Sequence, residues 1–106
     1  MPLYNMTRKR SIANVCKRVN PWLGLMFQTP RPVWFSFKTP RRIGLHNIFV
    51  PAAIDVLFVL NGRVVEKKDS FKPFTFYTPT EKATHVIELP AGMAKNVRVG
   101  DKLVIR

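Results

Sequence analysis

Apolar and polar residues alternate in short runs along much of the chain, and prolines, glycines and asparagines separate the runs. A period of two residues is typical of strands that bury one face. The sequence Asn61-Gly62 tolerates positive φ at both central positions of a turn, so we predict a hairpin from residues 54–60 and 63–68. Further strands are expected at residues 33–37, 45–50, 74–77, 84–89 and 102–105.

The first 20 residues fit two patterns. One face of a helix would be shared by Ile12, Val15, Cys16 and Val19. Ala13, Val15 and Val19 also fit the alternation of a strand. We favour a strand pair around residues 7–10.

Two short helical segments are expected between the strands. Asn20 is a good N-cap residue and Pro21 is tolerated at the first helical position, which predicts a helix over residues 21–27. A second helical turn is expected at residues 93–96. About eight short strands with one or two short helices indicate a mainly β fold, a small antiparallel sandwich or barrel. The 106 residues form one domain, because a core of this size cannot be divided.

Charge is the main outlier in composition, since eighteen lysines and arginines against six acidic residues give a net charge of +12. Nine of the basic residues and none of the acids lie in residues 1–54. This asymmetry favours an anionic partner, and the alternative is a solvated surface that keeps a small protein soluble. The candidate anion-binding residues are Arg31, Lys38, Arg41 and Arg42.

Targeting and redox signals are few. No apolar run approaches the roughly 20 residues that span a bilayer, so no membrane partner is expected. Lys17 and Arg18 interrupt the apolar run that should follow the basic residues of a signal peptide, so we expect a cytoplasmic protein. Cys16 is the only cysteine, which excludes an internal disulfide and a thiolate zinc site. We expect a buried, inert thiol there, no bound metal and no cofactor.

Two carboxylates, Asp55 and Glu88, interrupt apolar strands. A half-buried carboxylate must be paired, hydrogen-bonded or neutral, and such groups occur in active sites. The alternative is that both side chains face solvent or accept hydrogen bonds from loop amides. His46 and His85, the only histidines, are further catalytic or metal-binding candidates, although their spacing does not demand it. The remaining acids near lysines, Glu66, Asp69 and Glu81, are expected in solvent.

A structural turn is predicted at Gly100-Asp101. Gly100 supplies permissive φ, and the Asp101 carboxylate can accept hydrogen bonds from neighbouring backbone amides as the chain enters its last strand. Such turns occur in β-barrels of unrelated function, so this one indicates structure and not a ligand.

Aromatic residues are interleaved with lysines and arginines in two segments. Bases stack on exposed rings while basic side chains follow phosphates, so the pattern supports a platform for single-stranded nucleic acid. The alternative is that most of the rings form the core of a chain this small. The rings are those of Trp22, Phe27, Trp34, Phe35, Phe37, Phe71, Phe74, Phe76 and Tyr77.

Several motifs follow one another from residue 21 to the end of the chain. They are Gly24-Leu25-Met26, the aromatic segment 33–37, His46 with residues 54–58, Lys72-Pro73 with Tyr77, residues 86–92, and Val99-Gly100-Asp101. Together they resemble an uncharacterised family known as domain of unknown function 192. Two departures are Ala53, where a proline is usual, and Ile48-Phe49, where many bacterial members have Lys-Asn. The resemblance implies a compact, mostly β fold and no known activity.

Three functions therefore stay open: a binding module for an anionic small molecule or protein, a module that binds single-stranded nucleic acid, and an enzyme that uses Asp55, Glu88 or a histidine. The relative positions of the two carboxylates and of His46 and His85 would separate these functions, because catalysis requires a shared cleft.

Overall fold

A computed structural model describes residues 1–18, 32–47, 53–72 and 75–106. This part of the chain contains ten strands and no helix, so the mainly β fold expected from the sequence is confirmed. In chain order the strands are β1 (Pro2–Asn5), β2 (Arg10–Asn14), β3 (Cys16–Arg18), β4 (Val33–Arg41), β5 (Leu45–Asn47), β6 (Ile54–Leu60), β7 (Arg63–Phe71), β8 (Thr75–Tyr77), β9 (Ala83–Pro90) and β10 (Leu103–Ile105).

The strands form three sheets. A five-stranded sheet has the order β3-β4-β9-β6-β7, a three-stranded sheet has the order β10-β1-β2, and β5 pairs with β8. Among the described strands, the pairing of β3 with β4 is parallel and the other pairings are antiparallel. Strand β9 is the centre of the large sheet, with β4 on one side and β6 on the other.

The hairpin of β6 and β7 has the turn that its sequence predicts. Asn61 has φ of 52° and Gly62 has φ of 78°, the combination that a two-residue turn of type I′ requires. Because such a turn matches the twist of the flanking strands, it sets the register that places Leu60 opposite Arg63.

Both faces of the five-stranded sheet are covered. On one face, which we call the inner face, Val33, Ile54, Val56, Phe58 and Val86 are buried together. On the opposite face, Leu57 and Val59 of β6 and Ile87 and Leu89 of β9 pack against residues that include Leu3 and Leu103 of the three-stranded sheet. Residues 54–59 are therefore buried without interruption, since alternate side chains enter two different cores.

The two ends of the chain lie in the same small sheet. Strand β1 pairs with β2 in a hairpin and with β10 on its other side, and Leu3 stands opposite Ile105. The turn of the hairpin covers residues 6–9, and the paired strands β1 and β2 lie on either side of it.

The segment between β9 and β10 forms consecutive turns, and not the helical turn expected at residues 93–96. Gly92 has φ of 93°, which a right-handed helix does not accommodate, and the N–H group of Ala94 donates to the Asp55 carboxylate. The short helix expected at residues 21–27 lies outside the described residues. Within the described ranges, no helix is long and apolar enough to cross a membrane.

Candidate functional site

An open groove of about 400 Å³ lies beside the three-stranded sheet. The turn after β1 and the start of β2 supply one part of its lining, and the segment between β9 and β10 supplies the other. Four of the six lining residues are basic and none is acidic, namely Thr7, Arg8, Arg10, Lys95, Asn96 and Arg98. We call this site the basic groove.

Asp101 holds the two parts of the basic groove together. Its buried Oδ2 atom accepts hydrogen bonds from the Asn5 side chain at 2.9 Å, from the Arg98 backbone N–H at 2.9 Å and from Arg8 Nε at 3.2 Å. Burial by itself would raise the pKa of Asp101, but hydrogen bonds from Asn5, Arg98 and Arg8 and the Arg8 charge outweigh burial and lower it. The carboxylate thus stays ionised and fixes Arg8 at the edge of the groove.

The Thr7 hydroxyl gives the groove a second connection. Its oxygen accepts a hydrogen bond of 2.9 Å from the Lys102 N–H, and the Met6 N–H donates to the Lys102 carbonyl at 2.7 Å. The loop that carries Arg8 is therefore tied to the start of β10 at several atoms. Its conformation depends on residues more than ninety positions away in the sequence.

Positive charge in the basic groove is largely uncompensated. Arg8 forms an ion pair with Asp101, but no carboxylate in the described part of the chain lies within ion-pair distance of Arg10, Lys95 or Arg98. All three of these residues are exposed. Cations that converge without acids create a positive potential, and this potential attracts anions.

The cations proposed from the sequence lie elsewhere. Lys38 and Arg41 are exposed on β4, where the Arg41 guanidinium lies 5.2 Å from the centroid of the Phe37 ring. Arg42 Nε donates to the Pro79 carbonyl at 3.2 Å. None of these three lines the basic groove, and Arg31 lies outside the described residues.

Asp55 is buried, and both of its carboxylate oxygens accept hydrogen bonds from backbone amides. Oδ1 accepts from the Ser70 N–H at 3.0 Å, and Oδ2 accepts from the N–H groups of Gly92 and Ala94 at 2.9 and 3.1 Å. The carboxylate thus joins the end of β7 to the turns after β9. Its contacts are those of a structural residue, the second of the two alternatives that the sequence left open.

Glu88 lies on the opposite face of the sheet from Asp55. It stands beside Val33 of β4 and Val56 of β6, both of which belong to the inner-face core. Asp55 stands beside Leu89, which belongs to the core on the other face. The two carboxylates therefore do not share a cleft and cannot act as a catalytic pair.

His85 and Trp34 contact each other on the five-stranded sheet. Their ring centroids are 4.6 Å apart, the His85 Nδ1 atom lies 2.9 Å from the Thr84 hydroxyl, and the Trp34 indole N–H donates to the Ser36 hydroxyl at 2.8 Å. Burial lowers the pKa of His85. His85 stands opposite Val59 of β6, which lies four residues from Asp55 on the same strand. The side chain of the other histidine, His46, is not among those described.

Glu66 was expected in solvent, but the structure places it at a junction of the fold. Its carboxylate accepts hydrogen bonds from the Tyr77 hydroxyl and from the N–H groups of Thr80 and Glu81. The hydrogen bond to Glu66, burial and the Glu66 charge raise the pKa of Tyr77 to about 12. Proximity to lysines in the sequence gave no sign of these partners, since they come from the end of β8 and from the segment that follows it.

The basic groove was missed because its two parts are distant in the sequence. Arg8, Lys9 and Arg10 formed a visible basic cluster, but Lys95 and Arg98 look like isolated surface cations. Asp101 is the residue that could have linked these two basic segments in the sequence analysis. A carboxylate in a tight turn needs hydrogen-bond donors, and basic side chains can supply them.

The fold and the groove define a small basic β-sandwich protein with a candidate anion site. The family model of DUF192, described as Uncharacterized ACR, matches residues 8–105, and the chain belongs to this family. A UPF0127 protein of Pyrococcus furiosus is 36% identical over 90 residues, which cover 80% of this chain and 78% of that protein. A UPF0127 protein of Pyrococcus horikoshii is 37% identical over 87 residues, covering 76% and 75%.

Two solved structures share the fold. One is a Sinorhizobium meliloti protein described as a "putative transcription regulator", with a TM-score of 0.83 and 24% identity, and the match covers 97% of this chain and 89% of that one. The other is a protein of unknown function from Novosphingobium aromaticivorans, with a TM-score of 0.82 and 19% identity over 98% of this chain and 84% of that one. At these identities the likeness concerns the fold alone.

Proposed function

We propose that this protein is a binding module for an anionic small molecule, which it holds in the basic groove. The observation that carries the proposal is the convergence of Arg8, Arg10, Lys95 and Arg98 around one cavity whose lining contains no acidic residue. A volume of about 400 Å³ falls within the range of small-molecule sites, which starts at roughly 300 Å³.

Arginine is suited to this task. Its planar guanidinium donates two parallel hydrogen bonds to a carboxylate or a phosphate, and such charge-assisted bonds are stronger than neutral ones. Because Asp101 engages Arg8 through Nε, the terminal nitrogens of Arg8 keep their donors for a ligand. We therefore expect a ligand with at least two negative charges, carried by phosphate or carboxylate groups.

The proposal is tested by calorimetric titration with tripolyphosphate and with citrate. In the double variant Arg10→Ala/Arg98→Ala we expect affinity to fall about thirtyfold to a thousandfold, since two charge-assisted bonds worth about 1 to 2 kcal/mol each are lost. The matched control is Lys38→Ala/Arg41→Ala, which has the same net charge and leaves the groove intact. Equal losses in both double variants would mean that binding is a property of net charge and not of the groove.

Single-stranded nucleic acid is the alternative anion, and the same proteins distinguish it. The described aromatic residues support it weakly, because Phe35 and Phe71 are buried in the core and Trp34 is partly buried, with its indole N–H bonded to Ser36. A nucleic-acid module should bind an oligodeoxythymidine near physiological salt, and Trp34→Ala should weaken that binding. Binding that disappears at this salt while tripolyphosphate still binds would favour the small-molecule ligand.

We also propose that the protein acts in the cytoplasm. Fractionation of the native host, with the full chain detected by antibody, tests it.

A further inference from the structure

The lining of the basic groove includes two uncharged polar side chains, one from each of its two parts. Thr7 belongs to the turn after β1, and Asn96 belongs to the segment between β9 and β10. An ionised phosphate or carboxylate group offers only acceptors, so donors alone can bind it. The oxygen of the Asn96 amide is an acceptor, which such an anion does not use.

The turn that carries Asn96 is fixed on both sides. Ala94 is buried, and its N–H donates to Asp55 at 3.1 Å. Val97 is buried as well, its N–H donates to the Ala94 carbonyl at 3.0 Å, and its own carbonyl accepts from Lys67 Nζ at 2.8 Å. The backbone around Asn96 is therefore held in place, and the exposed side chain enters the groove lining from a fixed position.

The amide group of Asn96 does not serve the turn in which it lies. Asparagine is common in turns because it tolerates the left-handed region of φ or because its side chain bonds to the neighbouring backbone. Asn61 is an example of the first role, with φ of 52°. Asn96 does not have a positive φ, and its side chain forms no hydrogen bond within the described part of the chain. Its acceptor oxygen and its two N–H donors are therefore free to bind a ligand.

The Thr7 hydroxyl is fixed in position and keeps a donor for a ligand. Its oxygen accepts the Lys102 N–H at 2.9 Å. The hydroxyl proton has no acceptor among the described residues, so it can be donated to an oxygen atom in the groove. Because the bond to Lys102 already orients the side chain, a ligand that binds there loses little affinity to side-chain ordering.

The volume of the groove accommodates more than one phosphate group. At roughly 30 Å³ for each water molecule, 400 Å³ corresponds to about a dozen water-sized groups. A single phosphate group leaves about half of this space or more for other atoms, and Asn96 and Thr7 make part of that space polar.

We propose that the ligand of the basic groove is a phosphate ester of a small polyol, whose hydroxyl groups bond to Asn96 and Thr7 while the arginines bind the phosphate. This inference rests on the function proposed above and names the class of ligand. A polyol hydroxyl both donates and accepts, so it can donate to Asn96 Oδ1 and accept from the Thr7 hydroxyl. The phosphate of such an ester carries about 1.5 to 2 negative charges at pH 7, which the groove cations attract.

The test is calorimetric titration of the full chain at pH 8 with glycerol 3-phosphate and with propyl phosphate, which differ only in their hydroxyl groups. We expect glycerol 3-phosphate to bind about tenfold more tightly, because it adds hydrogen bonds between neutral groups. In Asn96→Ala the ratio of the two affinities should fall to about three or less. The matched control is Asn14→Ala, an exposed position of β2 outside the groove, which should keep the tenfold ratio. A general change in attraction for phosphate cancels in this ratio.

Three results would each overturn the inference. They are equal affinities of the wild type for the two esters, the absence of binding by both esters, and a ratio in Asn96→Ala as large as in the wild type. Thermal unfolding checks that Asn96→Ala is folded, which we expect because no described hydrogen bond is lost. Tripolyphosphate binding that depends on Arg10 and Arg98 would in each case still support the function proposed for the groove. Its absence would overturn that function as well.

Discussion

Three acidic side chains, those of Asp55, Asp101 and Glu88, enter the interior of the described structure. Their hydrogen-bond partners determine how much free energy it costs to bury the ionised form of each one. Asp101 is surrounded by donors that favour its ionised form, whereas the described cross-strand neighbours of Glu88, Val33 and Val56, are apolar. The pKa values accordingly move in opposite directions, below the ordinary value for Asp101 and up to about 7 for Glu88. Their contributions to stability therefore depend on pH with opposite signs.

Replacement of Glu88 by Gln should stabilise the protein above neutral pH. The pKa of Glu88 rises from 4.5 to about 7 on folding, so folded Glu88 keeps its proton in a range where the unfolded chain loses it. Wild-type stability should fall as pH rises from about 4.5 to about 7. At pH 8 the free energy of unfolding of Glu88→Gln should exceed that of the wild type by up to about 3 kcal/mol.

Urea denaturation at pH 4 and pH 8 measures this difference. The advantage of Glu88→Gln should vanish at pH 4, where the carboxyl group is protonated in both states. An advantage that is the same at both pH values would show that the gain comes from packing and not from ionisation.

Loss of the Asp55 carboxylate should be among the most damaging single changes. Asp55→Ala leaves the N–H groups of Ser70, Gly92 and Ala94 without their acceptor in a partly buried place. We expect a loss of about 3 kcal/mol in the free energy of unfolding. Asp69→Ala is the control, because the Asp69 side chain is 62% exposed and should contribute within about 0.5 kcal/mol.

Loss of the Asp101 carboxylate should weaken both stability and binding. Asp101→Ala should cost about 1 to 2 kcal/mol and also lower affinity for tripolyphosphate, since Arg8 loses the contact that positions it. This stability contribution should disappear as acidification protonates the carboxylate, because the pKa is lowered on folding. An unchanged affinity in a variant with the expected loss of stability would exclude Arg8 positioning as part of the site.

At the scale of elements, the turn between β6 and β7 can be tested by comparing the alanine variants of two glycines, one inside the turn and one outside it. Gly62 has φ of 78°, so Gly62→Ala should cost about 1 kcal/mol in the free energy of unfolding. Gly44 lacks a positive φ, and a methyl group added there would meet no atom within 4 Å, so Gly44→Ala should be neutral or slightly stabilising. Equal effects in thermal unfolding would argue against a type I′ turn that determines the register.

The hydrogen bond between Tyr77 of β8 and Glu66 of β7 can be followed by the titration of the tyrosine. Because Glu66 accepts the Tyr77 hydroxyl proton and adds its charge, Glu66→Gln should lower the pKa of Tyr77 from about 12 towards the ordinary 10. Tyr4→Phe leaves Tyr77 as the only tyrosine, so the ultraviolet absorbance of tyrosinate can be followed in that background. A titration that does not change with Glu66→Gln would mean that burial alone perturbs Tyr77.

At the scale of the whole molecule, the local patterns predicted more of the fold than of the site. Alternation and the Asn61-Gly62 turn are local, and they predicted strands that match β4, β6, β7 and β9. The parallel contact of β3 with β4 and the turns at residues 91–96 depend on tertiary partners, so no local period could reveal them. The basic groove depends in the same way on a single carboxylate that receives donors from both ends of the sequence.

The contact between Asn5 and Asp101, 96 residues apart, has a consequence for the order of events during synthesis. The β1–β2 hairpin leaves the ribosome first, but Asp101 and β10 must follow before either can complete the small sheet. The groove therefore cannot form before β10 has been synthesised, and an anion would stabilise only a chain that includes this strand. A folding reaction governed by such distant pairings should be slow, on the order of milliseconds to seconds.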